Sequence, residues 1–241
     1  MPARNADQVR TMFGRIVPRY DVLNRLMSLG MDRRWRHLAA SAARPRGACA
    51  LDVGVGTGDL ALELRRQGAD SVIGADFSPE MLAAASRKGA SSNARISWVL
   101  GDALRLPFPD GSFDCVTNAF VLRNLADLRA GLGEMARVLR PGGRLVCLDM
   151  TQPPKGPFGA LYRLYFNRLV PRLAGAISGD PAAYRYLPNS LEGFPDAVAM
   201  AELLRGVGLS GVQVRRLGGG AVALHAALKP GVTGPPSAAS P

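Results

Sequence analysis

The sequence predicts an α/β protein built on a mostly parallel, doubly wound sheet, and three observations predict it. An apolar run, Ala50-Leu51-Asp52-Val53, passes into the alternating glycines Gly54, Gly56 and Gly58 and then into an amphipathic run with Leu60, Ala61, Leu62 and Leu64. That order reads as strand, tight turn and helix. From residue 48 to 150, strand-like segments alternate with helical ones, the pattern that lays strands parallel with crossover helices. Finally, segments 211–217 and 221–228 are joined through Gly218-Gly219-Gly220, which closes the sheet on an antiparallel hairpin.

Taken in order, residues 1–46 read as an N-terminal helical cap. Val9, Met12, Phe13, Ile16 and Val17 recur at helical spacing until Pro18 interrupts them. Tyr20 to Asn24 opens a second helix that Gly30 ends, and Asp32 to Arg44 makes a third around Trp35 and Leu38. The main domain spans 47–229. Its second strand is Ser71 to Asp76, and Ser78-Pro79-Glu80 starts the next helix with a cap, an N1 proline and a first-turn acid. Strand three is Ile96 to Leu100 and strand four Phe113 to Asn118; a helix runs from Asp127 to Leu139. Arg140-Pro141-Gly142-Gly143 then turns into strand five, Arg144 to Met150. Residues 151–195 interrupt the alternation as a helical insertion. Within it, Phe158 to Ala176 is apolar on nearly every side yet carries Arg163, Arg168 and Arg172 and no acid. It reads equally as a buried lid and as a surface helix whose arginines snorkel over lipid or a greasy substrate. A helix near 196–206 precedes the hairpin, and residues 230–241, rich in Pro, Gly, Ser and Ala, are expected to be disordered.

No apolar run reaches the roughly 18 residues of a membrane span, and Met1-Pro2-Ala3-Arg4 is not followed by the apolar core of a signal peptide. A cytoplasmic protein is expected. Cys49, Cys115 and Cys147 form an odd set without a C-x-x-C spacing, each in a predicted strand, and His37 and His225 stand far from them. Inert thiols and no metal are expected. The net charge is +11, and residues 1–46 hold ten basic residues against Asp7, Asp21 and Asp32. Such an excess attracts an anionic membrane face or nucleic acid, or merely solvates an arginine-rich surface. With 6% aromatic residues and no RNA-binding module, nucleic acid is not an expected partner.

The glycine turn points to a nucleotide-like ligand. Glycine tolerates φ > 0 and lets a ligand approach the backbone, and the free N–H groups opening the helix suit a carboxylate or phosphate. The spacing is G-x-G-x-G rather than the dinucleotide G-x-G-x-x-G, and no Walker lysine follows. Asp52 and Asp59 place negative charge around the turn, unfavourable to a pyrophosphate but tolerant of a cation. S-adenosylmethionine (SAM), with its sulfonium, ammonium and carboxylate, suits such a place. Asp76, 24 residues after Asp52, is positioned to accept both ribose hydroxyls, each bond contributing about 1.5–3 kcal/mol. Asp102, beyond strand three, is placed to accept an adenine amino proton. Three acids at consecutive strand ends make a sharper signal than any one of them. Tyr20, Asp21 and Asn24 are polar groups able to line a pocket.

Several segments carry a family resemblance: Pro18-Arg19-Tyr20-Asp21-x-x-Asn24, Ser28-Leu29-Gly30, Leu51-Asp52-Val53 with Gly56-Thr57-Gly58-Asp59, Leu106-Pro107-Phe108 and Leu122-Arg123-Asn124. Others follow in Arg137 to Gly143, Tyr184-Arg185-Tyr186-Leu187, Phe194-Pro195 and Val222-Ala223-Leu224-His225. On these, from about residue 8 to 229, the chain resembles the SAM-dependent C-methyltransferases of menaquinone and ubiquinone biosynthesis. The resemblance implies a class I methyltransferase, Rossmann-like fold. It also implies SAM contacts at Thr57, Asp76, Asp102, Ala103 and the position of Ala119, within a cofactor site that includes Asp52, Gly54, Gly56, Gly58 and Phe77. Ala119 replaces the family's small polar residue and Val121 its glycine, and the turn reads Val-Gly-Val-Gly rather than Ala-Gly-Gly.

The implied reaction methylates a ring carbon of demethylmenaquinol. A polyprenylated quinol would be the acceptor, held by Tyr20, Asn24, Val121 and Asn124, with a peripheral contact to an anionic membrane. The ring carbon is nucleophilic only when a neighbouring hydroxyl is ionised, and a phenol's pKa is about 10. Arg123 is the candidate to stabilise that phenolate, as a fixed cation rather than a base; Asp21, Asp149 or His225 would accept the proton. Other readings stay open: the ubiquinone precursor 2-polyprenyl-6-methoxy-1,4-benzoquinol or another small acceptor, and a non-enzymatic interaction protein on a degenerate SAM fold. A homodimer is compatible with all of them.

Overall fold

A computed structural model describes residues 17, 20–92, 94–152, 191 and 193–231. Its strands are β1 (Cys49–Val53), β2 (Ser71–Asp76), β3 (Ser97–Leu100), β4 (Phe113–Ala119), β5 (Leu139–Met150), β6 (Ser210–Leu217) and β7 (Val222–Leu228). They form one sheet in the order β3-β2-β1-β4-β5-β7-β6. β1 to β5 run parallel, and β7 lies antiparallel between β5 and β6. From β1 the chain builds outward to β3, then returns to β1's other side with β4. The strand order reverses there, so a crevice opens at the carboxyl ends of β1 and β4.

Helices α1 (Tyr20–Met27) and α2 (Asp32–Ala43) precede the sheet; α3 (Asp59–Arg66), α4 (Pro79–Ser91), α5 (Leu128–Val138) and α6 (Ala197–Gly206) connect its strands. The polar residues ahead of three of them act as caps. Ser78 Oγ accepts the Met81 N–H, Asp127 that of Ala130, and Asp196 those of Val198 and Ala199, each contributing about 1 kcal/mol. Apolar stripes of α5 and α6 (Leu132, Met135, Leu204) pack with Leu51, Phe113 and Val116 in one core. Ala39, Ala40 and Ala43 of α2 and Leu60 and Leu64 of α3 pack with Val72, Val146 and Leu148 in another. Cys115 and Cys147 belong to these cores, and burial pushes both thiols up to about 12.

Strand five departs from expectation. Arg140-Pro141-Gly142-Gly143 does not precede the strand but bulges within it: Phe113 pairs with Leu139, and Cys115 next pairs with Arg144. The segment stays hydrogen-bonded because Lys229, just past β7, accepts the Gly142 N–H and donates its own to Gly143, both at 2.9 Å. The helix expected over Val9 to Ile16, the Phe158–Ala176 segment, Tyr184 to Leu187 and the tail beyond residue 231 lie outside the described residues. No helix among the described residues is long and apolar enough to cross a membrane.

Trp98 of β3 locks three elements together. A Cβ built on Gly74 of β2 would meet its ring at 2.8 Å, one on Gly58 at 3.0 Å and one on Gly89 of α4 at 3.1 Å. The indole fills a slot that only glycines leave open. Gly74→Ala, whose Cβ would also reach Val55 at 2.9 Å, is expected to destabilise the protein by about 1–3 kcal/mol through overpacking. Gly133→Ala, in α5 with nothing within 4 Å of the new methyl, should stabilise it by about 0.5–1 kcal/mol through helix propensity. Urea unfolding of the two variants checks both signs.

Candidate functional site

At the carboxyl ends of β1 to β4 lies a cleft with about 840 Å³ of atom-free space, its open mouth included. Gly54 and Gly56 follow β1, Asp76 ends β2 with Phe77 just past it, Asp102 and Ala103 follow β3, and Ala119 ends β4 with Phe120 and Val121 just past it; all line it. Tyr20 at the start of α1, Met81 of α4, and Asn124, Leu125 and Ala126 add to its walls. The fold thus brings together Tyr20, Gly54, Gly56, Asp76, Phe77, Asp102, Ala103, Ala119, Val121 and Asn124, all expected at a site. It does not bring Asp21, Asn24, Asp52, Thr57, Gly58, Arg123 or His225 to the cleft wall.

The glycine turn is left-handed at Gly54 (φ 65°), Gly56 (φ 55°) and Gly58 (φ 90°). A Cβ on Gly54 would come within 2.0 Å of the Val121 side chain, so the valine sits directly on bare backbone. Asp76 braces the turn from the neighbouring strand: its carboxylate accepts the Gly56 N–H at 2.8 Å and the Ser78 N–H at 3.0 Å. Burial raises its pKa, while the N–H groups of Ser78, Gly56 and Phe77 pull it back. Each carboxylate oxygen keeps a further lone pair, so Asp76 can accept from a vicinal diol in the cleft without releasing the turn. Asp102 is exposed and accepts the Leu104 N–H at 2.9 Å.

The expected residues off the wall have other partners. Asp52 lies beside Thr117 of β4, whose hydroxyl donates to it at 2.8 Å; burial pushes its carboxyl up to about 7, against the Thr117 bond and the Arg36 charge. The negative charge expected from Asp52 at the turn is therefore reduced, and Asp59 is paired. Lys88 Nζ, on the inward face of α4 with Met81 and Ala85, donates to Asp59 at 2.8 Å, Asp21 at 2.5 Å and Thr57 Oγ1 at 3.2 Å. The Thr57 hydroxyl donates to Asp21 at 2.6 Å. This cluster ties α1 to the glycine turn and occupies the Asp21 carboxylate. Lys88 was detectable in the sequence by its i, i+4, i+7 spacing from Met81 and Ala85.

Arg123 and Asp149 form a buried ion pair at 2.5 Å. His225, on β7, bonds the Ala197 carbonyl through Nε2 at 2.8 Å, and burial lowers its pKa. It lines a second, smaller cavity with Asp149, Thr151 and Pro195. Sequence reading passed over Phe120. Its backbone is left-handed (φ 62°), a conformation costing a bulky residue about 1–3 kcal/mol. Its N–H bonds Leu148 at 2.7 Å. The ring lies 5.4 Å from the Arg36 guanidinium and 5.7 Å from that of Arg123. Arg123 is near in sequence, but only the folded chain brings Arg36 and Leu148 to the ring, so no local signal announces them.

A profile of the ubiE/COQ5 methyltransferase family matches residues 1–229. The chain belongs to this family. It is 50% identical over 222 residues to the demethylmenaquinone methyltransferase of Thermus thermophilus, covering 91% of this chain and 100% of that one. To the demethylmenaquinone methyltransferase of Deinococcus radiodurans it is 49% identical over 204 residues, 83% of this chain and 84% of that one. Among solved structures, the [4+2]-cyclase SpnF superposes with a TM-score of 0.71 at 20% identity, over 95% of this chain and 97% of that one. That likeness speaks for the fold alone.

As a member of the ubiE/COQ5 family the protein uses SAM, and the residues present fit it. Asp76 suits the ribose diol, Asp102 an amino group, and the side-chain-free turn a closely approaching amino-acid tail. Ala119 supplies no hydroxyl at the wall. The Asp52 carboxyl has a stability signature. Folded, it holds its proton up to about pH 7; unfolded, it releases it near the ordinary carboxylate value of about 3.9. The native state binds the extra proton between those values, so Asp52 makes stability fall as pH rises from about 4 to about 7. The stability difference between Asp52→Asn and the parent protein should move in the variant's favour across that window and level off above it, as read by urea unfolding at a series of pH values.

Proposed function

We propose that the protein transfers the methyl group of SAM to a ring carbon of demethylmenaquinol, completing the menaquinone ring. The carrying observation is the polarity of the cleft read along the sheet. Asp102 and Asp76 stand at the ends of β3 and β2, the bare glycines at β1, and Phe120, Val121 and Leu125 beyond β4. A polar nucleoside and an apolar aromatic acceptor would lie side by side in that order. The names carried by the Thermus and Deinococcus relatives support the same acceptor.

Bound SAM supplies an electrophilic methyl on a sulfonium. The chain's own task is to hold the acceptor ring close and favour its phenolate. We assign Phe120 and Val121 to the wall beside the ring, and alignment there removes much of the entropic barrier. Behind Phe120 stand the guanidiniums of Arg36 and Arg123, each held by a buried carboxylate, Asp32 at 2.9 Å and Asp149 at 2.5 Å. They act as preorganised positive charge at second remove. Asp21 and Asp149 are committed to cations and His225 lies off the cleft, so the acceptor's proton is assigned to water at the mouth. Tyr20 and Asn124 are assigned to its hydroxyls.

Asp76→Ala should weaken SAM binding more than tenfold through the lost ribose bonds; calorimetry giving unchanged affinity would overturn that role. The acceptor is tested by incubating the protein with methyl-labelled SAM and chemically reduced demethylmenaquinone, with the oxidised quinone as control. Label is expected in menaquinone only from the reduced acceptor. Faster labelling of 2-polyprenyl-6-methoxy-1,4-benzoquinol in a parallel reaction would reassign the acceptor, and no label on either quinol despite bound SAM would refute quinol methylation.

A further inference from the structure

Between α1 and α2 the chain makes a turn that takes no part in the cleft, yet it carries a concentration of exposed apolar side chains. Leu29 is 70% exposed, Val22 60% and Met31 40%. Leu29 and Met31 belong to the turn itself, and Val22 and Arg25 lie exposed on α1, whose Leu23 is buried. The turn is well built. The Gly30 N–H bonds the Arg25 carbonyl at 2.7 Å, and the Ser28 hydroxyl donates to Asp32 at 3.1 Å.

Its conformation is costly for this sequence. Leu29 and Gly30 are both left-handed, at φ 51° and 77°. Gly or Asn would take the first position with less strain, and a leucine so exposed recovers little by burial within the chain. Among the described residues nothing covers this apolar side chain. Around this tip stand Arg25, Arg33 and Arg34, all exposed, and none forms an ion pair with an acid among the described residues. Asp32, the acid within the turn, is buried and held by Arg36.

An apolar tip flanked by exposed cations matches an anionic lipid surface, where side chains enter the acyl boundary and guanidiniums meet phosphates. We infer that this turn docks the protein on an anionic bilayer. The turn lies about 12 Å along α1 from Tyr20, which lines the cleft, so docking sets the cleft close to the lipid. That purpose rests on the polyprenylated acceptor proposed above; the docking itself does not.

The test is flotation of the full chain with phosphatidylglycerol-containing vesicles, against phosphatidylcholine alone. Salt-sensitive flotation with the anionic vesicles is expected. Leu29→Asp should cut the bound fraction about tenfold, and Arg33→Glu with Arg34→Glu should abolish the preference for anionic lipid. Leu29→Gly should float less yet unfold at a higher temperature, because it relieves the left-handed strain. All three should methylate a water-soluble, short-chain demethylmenaquinol at the parent rate. Leu29→Asp floating as well as the parent overturns the inference. So does a parent that does not float and is a dimer by light scattering while Leu29→Asp is a monomer, which would make the turn a self-association surface. Failure of the parent to methylate the short-chain quinol would instead count against the proposed acceptor, with flotation still deciding the docking.

Discussion

The turn after β1 is held by bonds from every side, and the cleft takes its shape from them. Its backbone must run left-handed through three glycines, with one bond of its own, from the Gly58 N–H to the Val55 carbonyl at 3.0 Å. Asp76 bonds its Gly56 N–H from β2, and Val121 presses on Gly54 from just past β4. Lys88 gathers Asp21, Thr57 and Asp59 from three elements onto one ammonium. Trp98 closes the slot beneath Gly58. A site that must admit ligand atoms where side chains are missing needs such external bracing, because glycine contributes freedom rather than order.

This distribution explains what could be read from the sequence. The strand-turn-helix unit, the parallel core, the capped helices and the closing hairpin rest on local patterns of apolar spacing and turn chemistry, and those patterns survive in a linear string. Asp76 and Asp102 were legible because strand ends in open sheets face the ligand crevice. Asp52 lies off the cleft wall. It also stands near a strand end, but its side chain points to Thr117 within the sheet, a matter of strand pairing that one strand cannot announce. Phe120 was illegible because, Arg123 apart, its surroundings, Trp35, Arg36 and Leu148, come from two distant stretches. The long fifth strand was missed because Lys229, almost ninety residues on, supplies the bonds that keep its bulge in the sheet.

Two arginines behind one phenyl ring show how charge is handled near the cleft. Each guanidinium is buried and each has its own carboxylate, so neither is an uncompensated charge of the kind that destabilises an interior. Both project toward the Phe120 ring, whose electron-rich face accommodates a cation. Phe120 lines the cleft and neither arginine does. Burial of both guanidiniums keeps solvent from relaxing that arrangement, unlike an arginine on the surface.

The contact between Val121 and Gly54 also bears on how such a chain can vary over time. The valine fits only against a residue with no side chain, since a Cβ at position 54 would lie 2.0 Å from it. The two positions are consequently bound to an order of substitution. Bulk can enter at 121 only while 54 is glycine, and from then on 54 cannot change until 121 has become small again. A single valine has closed a door behind it, leaving the cleft's shape a matter of history as well as of chemistry.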